Sequence, residues 1–280
     1  MKNVICKTKV PGKSGSRRVF ALCFILGFIL AVSSCSSSYN SATGRKELSM
    51  INTSQEEKIG LEINKQVFLK YELSGRQSDG ERAYLVGKQI VSSIKRRGIP
   101  YKFGVVKDAN LNAFTIPGGY IYVTSGLLAN ISNDDELAAV LSHEIGHSEA
   151  RHAVKHLEAA LSYSAVMQLA YVLDRRPEDK KGDWKYLKSG SDVIFNLINL
   201  GYSRRDEYKA DWLSIGYMQA SGYDPRAILT VMEKLKAKES TGDPKWIRFL
   251  RSHPYLDERM SAVGEELSRD SEVVDSVNTP

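Results

Sequence analysis

The sequence predicts an α+β fold, mainly helical, with a small β-sheet set beside one long helix. Three observations carry this. Asn133 is followed three residues later by Glu136 and then by the apolar run Leu137–Leu141, the signature of a capped helix start. Pro117, Gly118 and Gly119 mark a tight turn, and Tyr120 to Thr124 then alternate β-branched and aromatic residues, as a strand does. Elsewhere the chain reads as helix: near 54–73, near 79–97 where Gly98 and Pro100 stop it, and through most of the chain after residue 124.

In chain order, the first segment is a leader. Lys2, Lys7, Lys9, Lys13, Arg17 and Arg18 precede an unbroken apolar run from Val19 to Val32, with no acidic residue among them. A membrane span wants about 17–25 residues, so this shorter run fits a signal-peptide core. It ends in "VSSC", which resembles the lipobox of bacterial lipoproteins, with Cys35 as the lipidated residue. The expected organisation is a signal peptide over 1–34, a lipidated tether over 35–44 rich in Ser, Asn and Gly, one domain over 45–270 and a tail over 271–280. Ser36, in place of an aspartate, fits the sorting pattern of outer-membrane lipoproteins. The expected location is therefore the periplasmic side of a bacterial envelope, at the outer membrane.

Removing the leader also removes the charge. Of 39 basic and 33 acidic side chains, the first 34 residues hold six basic and no acidic ones, leaving 33 of each. The basic pI is thus no argument for a nucleic-acid partner. Cys6 and Cys23 leave with the leader and Cys35 would be acylated, so no disulfide is expected in the mature chain.

Short strands fill about 101–124. A strand running straight into a helix can present an open edge, and an extended peptide can add to it through backbone hydrogen bonds. Asn112, Gly119, Tyr120, Ile121 and Tyr122 are the expected substrate-binding stretch, which implies loose sequence preference and hence unfolded or misassembled polypeptides as substrates.

The helix after these strands carries "HEIGH", residues 143–147. At 3.6 residues per turn His143 and His147 stack on one face, and both imidazoles can reach one ion. Glu144 sits about 100° around the axis, placed to touch a metal-bound water rather than the metal. H-E-x-x-H is a zinc signature, with the glutamate as general base. Nothing breaks this helix before about His156 except Gly146, so His152 and His156 fall on its other faces and take packing or polar roles. The long metzincin pattern is absent, since positions 150 and 153 are both Ala.

A third metal donor must come from elsewhere, and "GYSRRDEYKADWLSIGYMQ", residues 201–219, is the leading source. Ser203 caps a helix ended by Gly222 and Pro225, and Glu207 and Asp211 share a face one turn apart. One carboxylate can bind a metal while the other fixes a ligand imidazole. The other reading of this stretch is a solvated charged face, given Arg204, Arg205, Asp206 and Lys209 nearby.

"DELAAVLSHEIGHSEARH" together with "SRRDEYKADWLS" resembles the HtpX-like zinc metallopeptidases (peptidase family M48), a family with membrane-embedded and periplasmic members. "TGRKELSMI" at 43–51, "NAFTIPGGYIYVTSGLL" at 112–128 and "SHPYLDERM" at 252–260 match the same pattern, so the resemblance covers about residues 43–260. It implies a zincin-like (gluzincin) metallopeptidase domain with one Zn2+ per chain. It also implies that Glu207 is the third ligand, with Asp211, alongside Arg204, supporting the ligands. It places His253 near the active centre, where it would donate to the oxyanion or occupy the open zinc position at rest. The implied reaction is endopeptidase hydrolysis with Glu144 as base. A non-proteolytic assembly lipoprotein with a zinc site is the alternative, and a zinc hydrolase of cell-wall or lipid substrates a weaker one. "DRRPEDKKGDWK", 174–185, reads as a charged surface loop.

Overall fold

The computed structural model describes residues 36–40, 42, 44–94, 99–173, 201–239 and 251–278. Cys35, the leader and the loop at 174–185 lie outside these residues. A hairpin opens the fold, β1 (Ser36–Asn40) paired antiparallel with β2 (Arg45–Ser49). Next come α1 (Thr53–Lys70), α2 (Gln77–Ser92) and a three-stranded sheet of β3 (Lys102–Val106), β4 (Ala113–Ile116) and β5 (Tyr120–Thr124). The short α3 (Ser125–Leu128) leads to α4 (Asp134–Glu149), α5 (His152–Leu173), α6 (Arg204–Ser221), α7 (Ala227–Glu239) and α8 (Leu256–Asn278). Among the described residues, no helix is long and apolar enough to cross a membrane.

The sheet is buried on both faces, and its pleat divides two cores. Ile121 and Val123 of β5, with Ala113 of β4, join Ile90, Leu137, Leu141, Ile145 and Met218 on the side of α2, α4 and α6. Tyr120, Tyr122, Phe114 and Ile116 point the other way and pack on Ile63 and Val67 of α1 and on Tyr71, which caps its end. Alternate residues of a strand face opposite ways, so a strand with both faces covered reads as a continuous apolar run. Burying each such side chain contributes about 1.5–3 kcal/mol.

α4 is the centre of the domain and is buried nearly all round; even Glu144, His147 and Glu149 are 1%, 0% and 0% exposed. Its Asn133 cap accepts from the Glu136 backbone N–H, as the sequence predicts. The Glu136 carboxylate, however, accepts from Ser132 N–H and pairs with Lys234 of α7 at 2.7 Å, tying the helix start to its neighbour.

Four expectations change. The stretch expected as a tether forms β1, and the buried Asn40 donates to Glu47 at 2.9 Å and to the Ala150 carbonyl. Residues 271–278, expected as tail, continue α8. The sheet order is β3-β5-β4, so Tyr120, Ile121 and Tyr122 occupy the central strand with both edges paired. The parallel β3–β5 pairing is a long-range crossover that strand-by-strand reading does not see, and it makes β4, beginning just after Asn112, an edge of this sheet. Finally, α4 stops at Glu149. Arg151 takes a left-handed φ of 57° and α5 starts anew at His152, so Arg151 turns the chain where a continuous helix was expected.

Candidate metal centre

Two helices meet at the site because one of them lacks a side chain. A Cβ on Gly146 would lie 2.9 Å from the Ala210 carbonyl oxygen, so only glycine lets α4 and α6 approach this closely. The contact sets Glu207, three residues before Ala210, against the two histidines of α4. A second close approach works similarly. Gly201 has φ +84°, and a Cβ there would meet the Arg251 carbonyl at 2.2 Å. The next residue, Tyr202, consequently lies flat on His147, with ring centroids 3.9 Å apart and planes at 21°.

His143, His147, Glu207 and His253 converge, with one potential donor atom of each within 4.8 Å of all the others. His143 Nε2 is 3.0 Å from His147 Nε2 and 3.5 Å from Glu207 Oε2. His147 Nε2 is 3.3 Å from Glu207 Oε1. His253 Nδ1 lies 3.3 Å from both His143 Nε2 and Glu207 Oε1. Tetrahedral zinc with donors at about 2.0–2.1 Å has donor–donor edges of roughly 3.3 Å. The cluster fits that figure, and its nitrogen and carboxylate donors are those zinc takes. The structure therefore brings together His143, His147 and Glu207, and adds His253 at the fourth corner.

Glu144 stands at the edge of the cluster. Its Oε1 is 3.4 Å from His253 Nε2, and its buried Oε2 has no hydrogen-bond partner among the described residues. His253 Nε2 also lies 3.4 Å from the Ala113 carbonyl of the edge strand β4. Asn112, at the head of that strand, accepts from Ser252 Oγ at 3.2 Å, which ties the strand to the segment carrying His253. Gly119 lies away from the site, at φ +79° in the turn against Ile99 and Pro100.

Asp211 Oδ1 is 2.9 Å from His143 Nδ1. Arg204 is not beside it. Arg204 is half exposed, pairs with Glu258 at 3.2 Å and lies over the Tyr255 ring. The cation at the site is Arg259 of α8, 3% exposed, which grips Asp211 through Nε and Nη2 at 2.7 Å each and reaches Glu207 Oε2 with Nη1 at 2.5 Å. Sequence reasoning missed Arg259, although it stands in the "SHPYLDERM" stretch. It missed Tyr202 as well, and it placed His152 on the wrong face. His152 Nδ1 is 2.8 Å from His147 Nδ1.

The electrostatics arise from burial among mixed charges. Burial raises the Glu144 carboxyl, with the His253 and His143 rings opposing it. Burial drives His147 well below the usual imidazole value. Burial and Arg259 lower His143, but its hydrogen bonds to Asp211 and Glu207 outweigh them and leave it raised to about 9. Burial would raise Glu207 and Asp211, yet Arg259 holds both down, Asp211 to about 2.

Beside His143 and Glu144 opens a cavity of about 40 Å³ with apolar walls that include Val140, Ile228, Val231 and Leu235.

Comparison with known proteins places these residues in a wider set. Residues 78–267 match the model of a family described as Peptidase family M48. The chain is 29% identical over 180 residues to the mitochondrial metalloendopeptidase OMA1 of Schizosaccharomyces pombe, covering 64% of this chain and 50% of that protein. It is 33% identical over 159 residues to OMA1 of Arabidopsis thaliana, covering 56% and 30%. It is 30% identical over 186 residues to the putative beta-barrel assembly-enhancing protease of Vibrio cholerae, covering 63% and 36%. This chain thus spans half or less of the length of each of these relatives.

Proposed function

Because the chain belongs to peptidase family M48, we propose that it is a zinc-dependent endopeptidase that hydrolyses peptide bonds of unfolded or misassembled polypeptides. One observation carries the reading: a buried carboxylate with a free oxygen, Glu144, stands next to a four-cornered donor set of zinc dimensions. A purely structural zinc site has no use for such a group.

His143, His147 and Glu207 would hold the ion. Zinc bound there supplies a Lewis acid that polarises the scissile carbonyl and acidifies water. Glu144, raised by burial, accepts the proton of the attacking water through its unpaired oxygen and passes it to the leaving amine nitrogen. Asp211 holds the His143 ring by its Nδ1–H and so keeps Nε2 turned to the centre. The outer edge of β4, rather than β5, is the better seat for an extended substrate, since Ala113 adjoins both His253 and the cavity beside Glu144. Backbone pairing and an apolar cavity together select for exposed apolar segments, which unfolded chains have and folded ones hide.

His253 supports a closed resting state. It fills the fourth corner that substrate and water need, and it is 1% exposed. Its displacement would switch the site on. The lipobox at Cys35 and the likeness to a beta-barrel assembly-enhancing protease support a lipid-anchored protein of the bacterial envelope, on the periplasmic side at the outer membrane. The OMA1 relatives are mitochondrial by name, so the location rests on the leader.

The test is cleavage of an unfolded protein by full-length protein in detergent, comparing wild type, Glu144→Gln and chelator-treated samples. Only the zinc-loaded wild type should cleave, and Glu144→Gln should keep zinc while losing about 100-fold or more in rate. Equal cleavage by Glu144→Gln would remove the assigned base. Client holding that survives in Glu144→Gln, with no cleavage by any sample, would favour the non-proteolytic assembly role.

A further inference from the structure

His147 is held from behind by a second imidazole and a carboxylate. We infer that His152 and Asp206 form a hydrogen-bonded relay that fixes the ring orientation and tautomer of His147, keeping its Nε2 open to the metal. The inference rests on the metal-site reading above and deepens it.

Donor and acceptor roles are set link by link. His147 Nε2 faces the cluster, 3.0 Å from His143 Nε2 and 3.3 Å from Glu207 Oε1. A metal there needs the Nε2 lone pair, which leaves the ring hydrogen on Nδ1. His147 Nδ1 is 2.8 Å from His152 Nδ1, so His147 donates and His152 accepts. His152 then carries its own hydrogen on Nε2, and that atom faces Asp206 Oδ1 at 3.3 Å. With its hydrogen on Nδ1 instead, His152 would aim an N–H at the N–H of His147 and turn a bare Nε2 toward the Asp206 carboxylate. His143 reaches its carboxylate, Asp211, directly; His147 reaches one through an intervening imidazole.

Each link comes from a different element and is independently anchored. Asp206 Oδ2 accepts from Ser203 Oγ at 2.6 Å within the capping box that starts α6. His152 is delivered by the left-handed turn at Arg151, a conformation unfavourable for a residue with a Cβ. The Arg151 side chain locks that turn. Its Nε donates to Glu56 at 3.0 Å, Nη1 to Ser49 Oγ at 3.1 Å and Nη2 to the Ile51 carbonyl at 2.5 Å, all buried. His156 shares this carboxylate from its other oxygen, 3.6 Å from Asp206 Oδ2, and so serves as the control for a histidine that meets Asp206 but not His147.

The test reads metal affinity rather than turnover. Full-length protein in detergent would be titrated for zinc against a competing chelator, and the metal-free form melted, for wild type, His152→Ala, His152→Asn and His156→Ala. His152→Ala should weaken zinc binding about 10–100-fold. His152→Asn should restore most of it, because its amide oxygen can stand where Nδ1 stood and accept from His147. His156→Ala should bind as wild type. If His152→Ala does not fold, His152→Gln takes its place, since it fills the pocket but aims its acceptor at Asp206. Zinc affinity in the Ala or Gln variant within about twofold of wild type overturns the relay, as does His152→Asn binding as weakly as either while its metal-free form melts normally. Zinc held by wild type, with no cleavage by wild type or by His253→Ala, overturns the peptidase reading and leaves the relay standing; wild type that takes no zinc overturns both.

Discussion

Arg259 grips Asp211 with two parallel hydrogen bonds of 2.7 Å and extends its third nitrogen to Glu207, so one guanidinium from the last helix neutralises both carboxylates of α6. This geometry explains how two buried acids coexist beside three histidines. Replacing Arg259 by Ala would leave both carboxylates buried and uncompensated, a cost of about 3–5 kcal/mol. The metal-free protein should melt well below wild type, and zinc, itself a cation at the same place, should recover part of the loss. A melting curve with and without zinc checks both parts.

His253 at the fourth corner predicts an inhibited ground state. His253→Ala should still bind zinc through the other three residues and should cleave an unfolded substrate faster. The gain would be on the order of tenfold if the closing contact is worth about 1.4 kcal/mol. Slower cleavage would assign His253 to stabilising the oxyanion instead.

Gly146→Ala separates helix propensity from packing. In an open helix the change would stabilise by about 1 kcal/mol, but here the new Cβ meets the Ala210 carbonyl at 2.9 Å. α6 must move outward, taking Glu207 with it. The expected outcome is a lower melting temperature, with destabilisation of about 1–3 kcal/mol, together with weaker zinc binding. Loss of stability without loss of affinity would show that Glu207 moves with the histidines regardless of the helix spacing.

Metal removal should expose a pH dependence. His143 is raised from the ordinary 6.5 to about 9 in the folded, metal-free protein, through Asp211 and Glu207 acting against burial and Arg259. A group raised on folding contributes stability that is complete below its unfolded value and is lost as the pH climbs through its folded one. Chelated protein should therefore lose stability between about pH 6.5 and 9. Zinc-loaded protein should not lose it in the same way, because the ion replaces the proton. Melting temperatures across that range, with and without chelator, make the comparison.

Much of the site could be read from the chain because its parts are local. The spacing of His143, Glu144 and His147, and of Glu207 and Asp211, needs only the helical period, and the caps at Asn133 and Ser203 need only adjacent residues. The order of strands was not local in this sense. Whether Tyr120–Thr124 is an edge or a centre depends on a crossover from β3, and the parallel pairing put it in the centre. The same applies to Arg259. One arginine in a charged helix start looks like any other, and Arg204 was the nearer choice until packing turned it to solvent.

The sequence by itself determined the helical frame and the spacing of His143, Glu144 and His147 and of Glu207 and Asp211 along it, because backbone periodicity fixes which side chains share a face. Only the tertiary structure decided which elements meet. The missing side chain at Gly146 let α6 close on α4. A single left-handed residue, Arg151, turned His152 from the far side of a helix onto the back of His147, a reversal written in contacts with Glu56, Ser49 and Ile51 about a hundred residues away.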